Sequence, residues 1–487
     1  MRDYIMHILK EIVGQEYVSD SYPIRATYEQ AQLPGGEIVK GKPDVVVMPR
    51  TPEQISKIIQ LANKEDLIVV PRGNGSSQAA ANIAKYGGIM VDLARMEDIL
   101  KIDEDNMVIT AEGGCSVYKM MRALTEHDMR FPFCPIFSCG PSLGASICTN
   151  ATGDFMVKYG RLGDIIVGLE AVLPTGEIIS LGTGAYTSGW GHYHRYTGIP
   201  DLIGLFVNSS GTIGIITKAS VRVIAKPKAE GYLTYGWRRE DIDKLTRALI
   251  ELQKYEIDDI HLYNQWTFFG PGAHFSYYGD KTHIPKDIHF VPLTVVDALN
   301  EKELEIKLDF YKDICVKYGG IDIGEGITHY LYGPPQYEGF GLPGVSYQKA
   351  KAMGITPMMS RSSAYYFYNP LPKFPEVYEL WEGICKKYGY WNEKYIPAWL
   401  SWADRNCMNP YPMIVEIPIN DEELKKYAKY WEEFASELAR RGCPPYAFGH
   451  SIPRIAIEGL GDNTFQFLKK VKMAVDPNNI LNRGVLY

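Results

Sequence analysis

Several absences narrow the class of this 487-residue chain. No apolar run reaches eighteen residues, so a membrane-spanning helix is not expected. The stretch from Met1 to Lys10 has neither a long apolar core nor a small-residue cleavage site, which fits a short amphipathic helix better than a signal peptide. Eight cysteines, at positions 115, 134, 139, 148, 315, 385, 407 and 443, contain no CxxC pair. That spread fits reduced thiols in the cytoplasm rather than a disulfide frame. The net charge is -7 with both signs interspersed, so no basic stripe is present for a nucleic acid. Histidines give no ligand spacing: His192 and His194 are two apart and His450 stands alone, so no metal is expected. Internal repeats and low-complexity segments are also lacking.

What is present is an apolar fraction of 46%, enough for a large core, in a chain longer than one domain usually is, and three glycine-rich loops set between strand-like runs. The first, Arg72-Gly73-Asn74-Gly75-Ser76-Ser77, follows the β-branched run ending in Val70-Pro71. Its glycines allow close backbone approach, its N–H groups can converge on an anion, and its serines add donors. A phosphate cradle and an ordinary strand-to-loop turn both fit it. The second runs through Ser142-Leu143-Gly144-Ala145, Thr149-Asn150 and Gly153 to Tyr159-Gly160 and Gly163-Asp164. The third is Gly211-Thr212-Ile213-Gly214-Ile215-Ile216. Three such loops suggest one long ligand. A nicotinamide-binding Rossmann turn is rejected because no third glycine follows at its offset, and a P-loop because no Gly-Lys-Ser/Thr follows.

From Pro43 the pattern alternates strand and helix, with Ile55, Ile58, Ile59 and Ala62 on one face of a helix opened by Pro52. Strands are expected at Asp44–Met48, Ile89–Leu93, Met107–Ala111 and Ala219–Ile224, a helix at Val117–Thr125, and a hairpin around Thr175-Gly176. Beyond the linker Lys226-Pro227-Lys228, long helical patterns run from Asp241, Glu301, Pro375 and Asp421, with short strands such as Tyr365–Tyr368 and Met413–Ile417. Pro334 to Gly344 reads as a loop. Several of the 34 tyrosines cluster in this half, where an aromatic pocket with polar tips is one use for them.

In combination and in order, these loops resemble the FAD-binding domain of the vanillyl-alcohol oxidase and p-cresol methylhydroxylase flavoproteins. The closing segment Ala474-Val475-Asp476-Pro477-Asn478-Asn479-Ile480-Leu481 extends the resemblance. It implies an α+β chain: a PCMH-type FAD-binding fold of two α/β subdomains with an α+β substrate (cap) domain. The expected division is an N-terminal helical segment at 1–42, the FAD domain at 43–226, the cap at 227–444, and a segment at 445–487 returning to the FAD domain. FAD binding is carried over to the loop positions named above. Asp164 matches the aspartate that such proteins place near flavin N5, although a turn aspartate capping a neighbouring N–H is the plain alternative. Tyr446 falls where phenol-oxidising members hold a phenolate, but the arginine that follows there is Ala447 here. A second phenolate tyrosine would fall near Ser76. Arg405 or Arg454 is then the candidate for the missing charge.

Tyr365 stands where relatives carry a covalent flavin anchor, against the reading of an aromatic core strand with FAD held non-covalently. Cys139 and Cys148 read as small apolar residues rather than flavin thioethers. The resemblance thus implies an FAD-dependent oxidoreductase that takes a hydride from a C–H next to oxygen or an aromatic ring of a small substrate. Oxygen, a cytochrome or another flavoprotein would reoxidise it, and members often form homodimers or higher oligomers. A D-2-hydroxyacid dehydrogenase-like FAD enzyme is the alternative, although Gly461-Asp462-Asn463-Thr464-Phe465 lacks the histidine of that group's metal site. A flavin-carrying electron-transfer subunit is the alternative from another class.

Overall fold

The computed structural model describes residues 2–29, 40–77, 79–135, 141–186, 189–269, 285–324, 363–364, 366–414, 420–450 and 459–486. Tyr365, Arg454, Cys139 and the expected loop from Pro334 to Gly344 lie outside them.

Among the described residues, the first domain holds two short two-stranded sheets and two main ones. In the smaller, strands Val45–Val47 and Val69–Arg72 both run parallel to Ile89–Asp92, and Val18–Ser19 joins antiparallel at the edge. Val45, Val47, Val69, Ile89 and Val91 are almost fully buried, as a parallel sheet covered on both faces requires. One cover is the helix Pro52–Glu65, which begins on Thr51, whose hydroxyl accepts the Gln54 N–H, with Pro52 in the first turn. The expected face of Ile55, Ile58, Ile59 and Ala62 is wholly buried. The amphipathic N-terminal helix forms as Asp3–Val13 and packs Ile5, Leu9 and Val13 into the same core. The second sheet is antiparallel, ordered Ile178–Gly182, Ile166–Val172, Ile215–Arg222, Val108–Glu112 and Ile99–Asp103. The hairpin around Thr175-Gly176 forms its edge, with Gly176 at φ 100°.

The second domain departs from the reading of helices separated by short strands. An eight-stranded sheet dominates it, with strands as long as Ala229–Arg238 and the fully buried Ile288–Ala298. Its helices Ile242–Lys254, Glu301–Lys317, Phe374–Lys387 and Asp421–Arg440 match the expected patterns within a residue or two. Alternate residues serve alternate faces. Phe290, Val296, Ile260, Leu262 and Trp399 pack towards the helices, while Val291, Leu293, Tyr263, Leu400 and Trp402 join the core of the first domain. The sheet is therefore a lid lying directly on the first domain. Ion pairs of Arg130 with Asp297, Lys158 with Asp258 and Arg161 with Asp404 cross the same boundary.

Two expected strands are corrected. Tyr366 and Tyr368 lie outside any strand, and Phe367 makes only an isolated bridge to Pro445. The strand expected at Met413 begins earlier, as Cys407–Ile414, paired along its length with Pro397–Asp404. The C-terminal residues return to the first domain. Val69 donates its N–H to Ile480 and accepts that of Asn482, so the outer edge of Val69–Arg72 is closed by the end of the chain.

Candidate active site

The strand Val69–Arg72 delivers the first glycine loop to a cleft between the two domains, where the chain must approach its neighbours closely. A Cβ on Gly73 would lie 2.0 Å from Ser142 Oγ. Gly75 has φ 73°, and a Cβ there would lie 2.2 Å from Arg72 Nη2. Only glycine fits both contacts and the left-handed backbone. Arg72 spreads over the Tyr28 ring at 4.9 Å, and its Nη1 is buried without a hydrogen-bond partner. Burial lowers its pKa, with Asp92 opposing.

The second loop becomes the short helix Leu143–Cys148, pinned where Gly144 donates its N–H to the Gly113 carbonyl at 2.8 Å. The third passes through Ser210 and Gly211, both left-handed at φ 52° and 71°. The Ser210 N–H binds the Cys148 carbonyl, its hydroxyl binds the Phe448 carbonyl, and Asn482 caps its own carbonyl, each at 2.7 Å. The loop ends sooner than expected, because Ile215 and Ile216 open the strand Ile215–Arg222.

Together these loops line a cleft of about 1310 Å³ including its open mouth. Arg72, Gly73, Gly75, Ser76, Ser77, Gly144, Ala145, Thr149, Gly211, Gly214, Ile215 and Ile216 line it, and Tyr446 closes it from the lid with Tyr366 and Ala447. The exposed Asn74 and the buried Ser142, Leu143 and Thr212 are not among its lining residues. Gly153 lies in a strand paired with Pro135. Asn150 and Gly163 build the turn under Arg161: the Asn150 side chain accepts the Gly163 N–H at 3.0 Å, and its carbonyl accepts from Arg161 Nη1 at 3.1 Å. Tyr159 and Gly160 precede that turn.

The structure does not bring Asp164 or Arg405 to the cleft wall. Asp164 is exposed, and its carboxylate accepts the Arg161 N–H at 2.8 Å, capping the one-turn helix Leu162–Ile165. Arg405 is exposed, with Nη2 3.4 Å from the Tyr159 carbonyl. The buried cation at this end is Arg161, which sequence reasoning missed. Its Nε donates to Asp404 at 2.5 Å and its Nη1 to Thr152 at 3.0 Å, while Nη2 is buried without a partner. The guanidinium lies 4.6 Å from the Tyr368 ring and 5.5 Å from that of Tyr446. Burial pushes the Tyr446 phenol up, and Arg161 and the Thr149 hydroxyl pull it back down. Tyr366 stacks on Tyr411 with centroids 4.1 Å apart, fixing the lid side of the cleft. Burial raises the Cys148 thiol to about 11, keeping it protonated.

Asn82 and Ser146 were also missed. Both line the cleft, and both amide atoms of Asn82 and the Ser146 hydroxyl are buried without partners. With Arg72 Nη1 they form a set of polar groups awaiting a polar ligand. Glycine loops that no Cβ could enter, orphaned donors and a mostly apolar remainder fit a dinucleotide with one flat ring system.

The cleft thus lies between a domain of two main sheets and a sheet lid. Residues 43–182 match the FAD binding domain family. The chain is 30% identical to a D-lactate dehydrogenase of Anaerostipes hadrus, across 97% of this chain and 94% of that one. It therefore belongs to the FAD-linked oxidoreductases, and FAD is its cofactor. It is also 32% identical over 244 residues to the glycolate oxidase subunit GlcD of Bacillus subtilis, and that match spans 49% of the relative's length. Among solved structures, p-cresol methylhydroxylase with substrate bound has a TM-score of 0.84 at 18% identity, covering 99% of this chain and 96% of that one. The 4-ethylphenol oxidase of Gulosibacter chungangensis follows at 0.81 and 17%, covering 99% and 96%. These likenesses establish the PCMH-type fold. Among the described residues, no helix is long and apolar enough to cross a membrane.

Proposed function

We propose that this enzyme oxidises a small substrate carrying an anionic group, removing a hydride from a C–H next to oxygen or an aromatic ring. The observation that carries the reading is the Tyr446–Arg161 pair at the lid end of the cleft, a phenol in the wall with a desolvated guanidinium behind it. When bound, FAD supplies the hydride acceptor. Arg72, Asn82, Ser146 and the first loop would hold it by its polar parts. As an alcohol becomes a carbonyl, its oxygen must also release a proton. The Tyr446 hydroxyl, held by Thr149 and kept protonated by burial, is placed to hydrogen-bond and orient that oxygen, and water takes the proton. Arg161 favours negative charge at the same end, and its free Nη2 can meet a carboxylate or phenolate oxygen.

A 2-hydroxy acid supplies both the C–H beside oxygen and the anion. Similarity along nearly the whole chain to a D-lactate dehydrogenase favours that substrate class. The test is anaerobic bleaching of the bound flavin by 2-hydroxy acids, alkylphenols and neutral alcohols, repeated with Tyr446→Phe. An anionic substrate should bleach the wild type, and Tyr446→Phe should keep FAD while slowing reduction by roughly a hundredfold or more. Bleaching by neutral alcohols alone would sink the anionic reading. Bleaching by nothing in the panel would favour an electron-transfer subunit.

A further inference from the structure

The residues of strand Asp259–Asn264 that face the FAD domain bring two ligating side chains against a third from that domain. His261 Nε2 lies 3.1 Å from Asp154 Oδ1 and 3.0 Å from Asp259 Oδ2. His261, Asp154 and Asp259 are 3%, 6% and 1% exposed, and the three ligand atoms lie within 4.8 Å of one another. Asp154 belongs to Gly153–Asp154, whose partner strand Cys134–Pro135 reaches the cleft wall at Pro135.

A proton fills this arrangement poorly. One ring N–H can serve one carboxylate at a time, and Asp259 Oδ2 is buried without receiving a hydrogen bond, while its Oδ1 accepts the Ile260 N–H at 2.9 Å. A divalent cation satisfies all three atoms and cancels two carboxylates beside a neutral imidazole. Ligands about 2.0–2.2 Å from a tetrahedral ion lie roughly 3.3–3.6 Å apart, so His261 Nε2, already about 3 Å from each carboxylate, need only draw back slightly. Nδ1 of His261 is 3.3 Å from Tyr263 Oη, a partner that can hold the tautomer leaving Nε2 free for a metal.

We propose that Asp154, Asp259 and His261 form a site for one divalent first-row cation of the zinc class, which clamps the lid sheet to the FAD domain. This departs from the absence of metal expected from histidine spacing. The ion displaces the Nε2 proton, and water completes the coordination.

The test uses FAD-loaded protein stripped with a chelator, equilibrated with micromolar Zn²⁺ and desalted. Plasma mass spectrometry should find one zinc per chain, and the thermal midpoint should rise. Asp259→Asn and His261→Gln should each weaken uptake by roughly a hundredfold or more. X-ray absorption at the zinc edge of the wild type should show nitrogen and oxygen neighbours at about 2.0–2.2 Å and no sulfur. Wild-type protein that takes up no zinc, uptake unchanged in both variants, or sulfur neighbours at about 2.3 Å would each overturn the proposal. The absorption measurement decides even if the variants do not fold.

Discussion

Single residues decide how the cleft receives its cofactor. Gly75→Val places a β-branched side chain at φ 73° and drives it into the Arg72 guanidinium, so the variant should bind FAD at least about tenfold more weakly. Titration of the stripped variant with FAD measures this directly, and unchanged affinity would remove the first loop from the binding site. Asp164→Asn should behave differently. It weakens one cap on an exposed turn, costing about 1 kcal/mol, and should leave flavin reduction by substrate at the wild-type rate in stopped flow. A large loss of rate would return a chemical role to that carboxylate. The Tyr159-Gly160-Arg161 sequence held the signal needed to find Arg161. A cation after a glycine turn reads as a solvated surface residue unless its partner is known, and Asp404 lies 243 residues away.

At the scale of elements, legibility followed periodicity. Helix Pro52–Glu65 was plain because its four apolar positions fall at helical spacing and Thr51-Pro52 marks its start. The lid strands were not plain. Ile288–Ala298 is buried on both faces, so the polar–apolar alternation that identifies a half-exposed strand is missing from it. For the same reason His261, Asp259 and Asp154 could not be grouped from sequence, since only the sheet register and the lid contact bring them together. The glycine loops were legible because their backbone demands appear as composition. Asn82 and Ser146 carry no such mark and reveal themselves only as unpaired buried groups. The terminal helix Asp462–Val475 offers a test of how elements cooperate. Lys472 on it is buried, donating to the Thr212 and Leu481 carbonyls at 2.8 and 2.9 Å and pairing with Asp476. Lys472→Met strands that carboxylate, and the loss should be about 3–5 kcal/mol, with weaker FAD binding because the Ser210–Gly214 loop loses its support. A denaturation midpoint equal to wild type would show that the helix docks without this amine.

For the molecule as a whole, acid stability should carry the signature of a buried neutral histidine. His289 sits in the lid, its Nε2 2.7 Å from Tyr378 Oη, and burial together with Arg239 and Lys386 holds its pKa down to about 4, with Glu382 opposing. The unfolded chain binds this proton below about 6.5, whereas the folded chain accepts it only near 4. The stabilisation is therefore complete above pH 6.5 and lost progressively as pH falls towards 4, by about 3 kcal/mol for this group. Urea denaturation at pH 7 and pH 5 should show that loss in the wild type and a smaller one in His289→Gln; equal slopes would assign the acid sensitivity to other groups. The closure of strand Val69–Arg72 by Ile480 and Asn482 bears on how the protein is made. The ribosome releases the first glycine loop well before the backbone groups that anchor its strand. FAD loading is then a task for chains that have released both segments, and a nascent chain displays an unpaired strand edge to its neighbours in the interval between them.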